Sequence, residues 1–544
     1  MRKSKHQYKL LFISVVGLVI VLLLVWQLTR KNEEKGISVA KAARELSLVL
    51  SDRETIFAVK DTRFTVSERE NWYVPYMDYL YASGLMNEEL TSAGKKGASK
   101  ALTIGELRFM ADGLGIWQES EVWQMNGLGQ GSGLRDKSVV PEGAWTAFLT
   151  EARGRFDTKK EVKTKELSIY ATAANLHEIP AWHVLTTEGM YTFEGFSMDA
   201  YLDRRVEVWM RGMEIIRISQ KTGENVTYKN MLVSESKGAQ LTVFFSGYER
   251  KFTLPEAVEL EENQVIDLSL SAGAVTSIRR KNSVLPGRII AIGEGAVEIE
   301  GYGVLPLADT LQIYQTYGNR VVKSTEDVLI GYDIYDVIAA EGEVCAIRIR
   351  QSPDARTIRV LLTDHGGSEK LHPSVTLSAK TDFFVEVGTQ SFTFLAGEEI
   401  VIADGWIYRK NAATGQMVPV WTELENGQRI SLKSVSGELT VPSFNRTFGT
   451  PVYPGTMEVL VSEGGVYLIN EVLIEDYLCG VVPAEMPFNY HMEALRAQAI
   501  SARGFAVNHL TSSTYRDVGA HVDDTENFQV YNYSARADRT DQAV

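Results

Sequence analysis

Nineteen consecutive residues near the N-terminus, Leu10 to Leu28 (LLFISVVGLVIVLLLVWQL), carry no charge. At a rise of about 1.5 Å per residue such a run spans a hydrocarbon layer of about 30 Å. Arg2, Lys3, Lys5 and Lys9 precede it, and Arg30 and Lys31 follow. A short basic tail stays in the cytoplasm while a long C-terminal portion crosses. The sequence therefore predicts a single-pass anchor within residues 1–36, placing the protein at the cell membrane with its later domains extracytoplasmic. A cleaved leader is the competing reading. Its small-x-small site, Ala40-Lys41-Ala42, lies well past the apolar run, and the run exceeds the usual signal core.

A chain of 544 residues is too long for one core. The net charge of −14 argues against a nucleic-acid partner, because phosphate contacts need a basic surface. Cys345 and Cys479 are too few to form a disulfide framework. Each sits in an apolar run, which predicts buried free thiols.

The expected fold class is multidomain α+β. Residues 37–157 read as helical: ISVAKAARELSLVL has helical apolar spacing, and Thr103 with Glu106 has the spacing of a capping box. VPEGAWTAFLTEAR suggests a further helix. The aromatic helix ending in Ser83-Gly84-Leu85 loosely resembles S-layer homology modules, which bind wall polymers. Gly127 to Lys137 reads as a flexible linker.

Residues 158–345 are β-rich, with short Val/Ile/Tyr/Phe runs between turn residues. A weak repeat recurs there: strand, glycine (Gly212, Gly273, Gly342), strand, then Ile-Arg. Each copy reads as a hairpin, predicting small barrels or sandwiches. Residues 346–544 begin with strands and end in helical sequence, MEALRAQAISARGFAVNHL.

The stretch from Tyr467 to His509 holds the chemistry. It contains Asn470, then Glu475-Asp476-Tyr477-Leu478. Gly480-Val-Val-Pro483 follows, with Glu485-Met486-Pro487 after it. The helix opens Glu493-Ala-Leu495-Arg496-Ala-Gln498-Ala499 and continues to Ala502-Arg503. These types at this spacing resemble the SpoIID/LytB family. Ile358–Leu362 and His372–Ser378 resemble the family's early strands, so the likeness covers roughly the last 200 residues. It implies a peptidoglycan lytic transglycosylase that cleaves MurNAc–GlcNAc glycan strands, with a sporulation role in view. Glu485 would be its single acid/base, with no metal and no cofactor. Residue physics points to the same side chain. Two prolines stiffen its surroundings, and apolar neighbours would desolvate the carboxyl and keep it protonated for general acid work.

Arg496 and Arg503 lie seven residues apart, nearly two helical turns, and so share a face. Substrate binding is one reading for them, and Gln498 and Gln529 join them as substrate-binding candidates. The other reading is ion pairing, with Glu493 as partner of Arg496. Arg496 stands where the family usually has Lys. Glu475 and Asp476 suit helix N-terminal capping better than catalysis.

Some relatives carry Cys-Asp-Thr-Thr-His-Cys-Gln-Val-Tyr, a zinc stretch. Here it reads Asp523-Asp-Thr-Glu-Asn-Phe-Gln-Val-Tyr531, without the sulfur and nitrogen donors zinc requires. His521 is expected at the surface. Family members continue beyond the position of Val544, so the domain is expected to be C-terminally incomplete. A non-catalytic modifier of a cell-wall amidase and a wall-binding scaffold are the competing functions.

Overall fold

A computed structural model describes residues 36–60, 68–92, 94–116, 136–364, 369–411, 414–446, 449–512 and 514–544. By its internal contacts the chain forms two compact units. One runs to Tyr228 and includes 269–277; the other comprises 229–268 and 278–544.

In the first unit the expected helices form, at Val39–Leu50, Val74–Ala82, Ile104–Gly113 and Glu142–Phe156. Ser38 caps the first by accepting the Lys41 N–H. The Thr103–Glu106 capping box closes at the third, with the Thr103 N–H donating to Glu106 at 2.7 Å. These helices pack on a closed five-stranded barrel built from Val162–Ala171, His183–Thr186, Gly189–Thr192, Arg205–Arg211 and Glu214–Gly223. Arg44 is fully buried at the join. It donates to the Ile216 carbonyl at 2.8 Å and the Ile215 carbonyl at 2.6 Å, and pairs with Glu214.

The three glycine repeats are hairpin turns. Gly212 comes first in its two-residue loop, between Arg211 and Glu214. Gly273 and Gly342 come second, after Ala272 and Glu341, and in both loops both residues have positive φ. That geometry follows the right-handed strand twist and favours glycine.

The second unit begins its later part with a seven-stranded sheet between Val284 and Ile349. Another seven-stranded sheet carries the C-terminal region. Its order is Gln390–Phe394, Phe383–Val387, Arg429–Ser434, Thr456–Ser462, Gly465–Leu473, Thr357–Leu362 and Val522–Asp523. Thr357–Leu362 runs antiparallel to Gly465–Leu473 and parallel to Val522–Asp523. A six-stranded sheet from Ser374–Ser378 to Val452–Pro454 completes the region.

An ion network crosses this unit. Arg359 is 1% exposed, donates to the Gly519 carbonyl at 2.6 Å, and pairs with Glu458 and Glu471. Arg429 bridges Glu458 to Glu298, and Arg288 joins Glu471 to Glu300. Burial raises the Glu458 carboxyl, but the Arg359 and Arg429 guanidiniums outweigh it and hold the group below its ordinary range. Cys345 and Cys479 are both free and buried, as expected. Burial pushes the Cys479 thiol up to about 12.

Two expectations are corrected. Among the described residues strand outweighs helix, 40% to 22%, so the expected α+β balance is corrected to a strand-dominated one. Among the described residues no helix is long and apolar enough to cross a membrane. Met492–Asn508, with 17 residues, carries Glu493, Arg496 and Arg503, charges that hydrocarbon does not tolerate. The Leu10–Leu28 run lies outside the described residues, as does most of the Gly127–Lys137 linker. The expected single-pass placement at the cell membrane therefore has no described helix to rest on and is not carried further.

Candidate active site

The strand Gly465–Leu473 runs directly into the helix Ile474–Glu485. Glu475 and Asp476 occupy its first turn, where negative charge complements the exposed N–H groups. Pro483 lies inside the helix, so Glu485 is the last helical residue and not part of a loop. Pro487 excludes the helical conformation at Met486, which is extended at φ −139 and ψ 127. The second helix, Met492–Asn508, starts six residues later.

Glu485 is exposed, while Val481 and Val482 just before it are fully buried. The apolar desolvation expected from its neighbours is therefore not in place: those side chains point into the core, and the helix end stands clear of it. The Glu485 Oε1 atom accepts the Val530 N–H at 2.9 Å.

The segment that presents Val530 is clasped to both helices. Tyr531 is buried, and its hydroxyl donates to Asn470 Oδ1 at 3.0 Å. Asn470 in turn donates to the Pro454 and Thr456 carbonyls at 2.8 and 3.1 Å. The Tyr531 ring lies against Gly480, where a Cβ would meet it at 2.6 Å. Glycine is thus required there by close approach. Gln529 is buried, donating to the Ala502 carbonyl at 3.4 Å and accepting from the Tyr477 hydroxyl at 3.4 Å. Its amide is engaged within the fold. The roles of Asn470, Gly480 and Tyr531 were not evident from sequence, although all three belong to the motif. The signal was present in their fixed spacing, but only the fold shows them touching.

The two arginines both pair with carboxylates. Arg496 donates to Glu493 at 2.7 Å on the exposed helix face. Arg503 makes a two-pronged pair with Glu475, at 2.9 and 2.6 Å, and donates to the Val544 carbonyl at 2.9 Å. The Glu475 hydrogen bond raises the Arg503 guanidinium, and the same bond lowers the Glu475 carboxyl. Glu475 and Glu485 are ten residues apart on one helix, so Arg503 is anchored about 15 Å along the axis from Glu485. Gln498 is half-buried on the second helix, Met492–Asn508.

The Asp523–Asp524 loop is held by protein donors. Asp523 accepts the Thr525 N–H at 2.9 Å and the Tyr515 hydroxyl at 2.7 Å. Asp524 accepts the Thr363 N–H at 3.0 Å and pairs with Arg446. Burial outweighs these partners and raises the Asp524 carboxyl to about 6. Among the described residues no three His, Cys, Asp or Glu side chains converge as a metal site would require. His521 is 1% exposed, which corrects the expected surface placement. Its Nδ1 accepts the Arg359 N–H at 3.0 Å, and burial with the Arg359 charge lowers the ring to about 3.

Two open cavities lie elsewhere. One of about 340 Å³ includes Asp404, Asn426 and Ser462, and one of about 470 Å³ includes Lys323, Glu326 and Tyr335. Glu485 lines neither.

Residues 462–544 match the family described as stage II sporulation protein. An uncharacterized protein of Brachyspira hyodysenteriae is 39% identical over 80 residues, which are 15% of this chain and 22% of that one. Stage II sporulation protein D of Bacillus subtilis is 42% identical over 69 residues, 12% of this chain and 20% of the relative. The Bacillus amyloliquefaciens protein of the same name is 43% identical over 65 residues, 12% and 19% of the two chains. The chain thus spans about a fifth of the length of these curated relatives.

Proposed function

With residues 462–544 forming a SpoIID-family domain, we propose that this chain acts in cell-wall remodelling linked to sporulation and cleaves peptidoglycan glycan strands at Glu485. The observation that carries this reading is the placement of Glu485. It is an exposed carboxyl at a helix end, fixed through one oxygen by the Val530 N–H, with the other oxygen available to a substrate.

In the proposed reaction the protonated Glu485 donates to the glycosidic oxygen as the C1–O4 bond breaks. The carboxylate then takes the proton from the 6-hydroxyl of the same MurNAc, whose oxygen closes on C1. The products are a 1,6-anhydro end and a free 4-hydroxyl, and the proton returns to Glu485. Bound glycan would cover the carboxyl, supplying the desolvation that the free protein lacks. One acid/base suffices where a hydrolase normally needs two. Arg503, about 15 Å away along the helix, lies at a distance that a polymer spans and one sugar ring does not.

The test is to incubate the full chain with peptide-free glycan strands and count anhydro-muramyl ends by mass spectrometry. Glu485→Gln is expected to reduce the yield by about 10²-fold or more. An unchanged yield removes Glu485 from the chemistry.

A further inference from the structure

Between Glu485 and the second helix the chain displays two large aromatic side chains to solvent. Phe488 is 59% exposed and Tyr490 is 51% exposed. Isolated exposed apolar residues need no explanation, but two aromatics two residues apart beside the candidate acid form a local feature. Among the described residues neither ring pairs with another aromatic ring or a cation.

The turn that carries them is fixed. The Tyr490 N–H donates back to the Pro487 carbonyl at 3.1 Å, closing a four-residue turn. Arg539 donates to the Tyr490 carbonyl at 3.1 Å from the far side. On the N-terminal side the Met486 N–H is tied to Val482 at 2.9 Å. On the C-terminal side the His491 ring caps the next helix through the Glu493 N–H at 3.3 Å. The backbone that carries the two rings is thus tied on both sides.

We infer that Phe488 and Tyr490 form a stacking platform for a pyranose ring next to the bond that Glu485 cleaves. This inference rests on the glycan-cleavage reading above and names how the substrate is held. The axial C–H face of a pyranose is apolar while its rim is polar, and aromatic faces meet such surfaces without requiring a charge. Arg496 follows about one turn into the second helix, an exposed cation close to the rings in sequence and paired there with Glu493. A polymer of sugar rings carrying carboxylates at intervals matches both features. A purely apolar partner would gain nothing from Arg496, and a purely anionic one nothing from the rings.

The platform is tested with an uncharged probe, a β-1,4-linked N-acetylglucosamine pentamer, binding to the full Glu485→Gln chain by calorimetry. Adding Phe488→Ala or Tyr490→Ala is expected to weaken binding about tenfold each. Tyr490→Phe is expected to recover what Y490A loses, because the ring and not the hydroxyl makes the contact. Both positions are exposed, and unchanged circular dichroism confirms folded variants. Equal pentamer binding by the alanine variants and their parent overturns the platform, as does a Tyr490→Phe variant no better than Y490A. The two ideas separate cleanly. Loss of pentamer affinity with undiminished cleavage by Glu485→Gln keeps the platform and removes the acid. Abolished cleavage by Glu485→Gln with unaltered affinity in the alanine variants does the reverse.

Discussion

Two clusters of arginine and glutamate lie in the same C-terminal region and do opposite things. In the sheet, Arg359 is 1% exposed and ties Glu458 and Glu471 together, with Arg429 and Arg288 extending the network. On the helix pair, Arg496 and Arg503 meet Glu493 and Glu475 in the open, with 54% and 34% of their side chains exposed. The residue chemistry is shared; the surroundings differ. A charge taken out of water must keep its partner, because separation leaves an uncompensated ion in low dielectric. A charge in water can exchange its partner at little cost, because solvent replaces it. The buried cluster is therefore committed to holding strands together, and the exposed one can trade carboxylates for a ligand.

The strongest way to break this comparison is Arg359→Met. The variant leaves Glu458 and Glu471 without their central cation, and a loss of about 3–5 kcal/mol is expected in urea unfolding. A loss under about 1 kcal/mol would mean that the network is no more committed than the surface pairs.

Asp524→Asn sharpens the comparison at the loop that presents Val530. The variant keeps the Thr363 bond and, at pH 4, where the buried Asp524 carboxyl is protonated and neutral, it is expected to lie within about 1 kcal/mol of wild type. The folded value of about 6 lies above the ordinary 3.8, so between these pH values the folded chain holds a proton that the unfolded chain has released. The stabilisation from that proton is complete below about pH 4 and is lost as pH rises through about 6. Wild type should therefore lose stability relative to the variant from pH 4 to pH 7 in paired thermal melts. Wild type gaining on the variant over that range contradicts the assignment.

Arg496→Ala is the smallest expected change. Its exposed pair with Glu493 is worth about 0.5 kcal/mol or less, so the melting temperature should barely move. A drop approaching that of Arg359→Met would place Arg496 on the committed side.

Much of the helical start was legible before any coordinates. Local bonds decide such features: the Thr103–Glu106 box and the hairpin glycines act within a few residues, so spacing reveals them. The buried state of the two thiols was also legible, because apolar runs enter cores. Less visible were the burial of His521 and the clasp of Tyr531 on Gly480. Each joins segments far apart in sequence: His521 accepts from Arg359, 162 positions away, and no local pattern encodes that meeting.

The sequence alone determined the family likeness of the C-terminal segment, because it resides in fixed residue types at fixed spacing. Tertiary structure decided the environment. It placed Glu485 at an open helix end instead of in an apolar pocket, engaged Gln529 internally, and buried Arg359 where a lone charge would be costly. The physical reason is that burial and electrostatic partnership depend on which distant segments pack together, and packing across a sheet has no short-range signature in the chain.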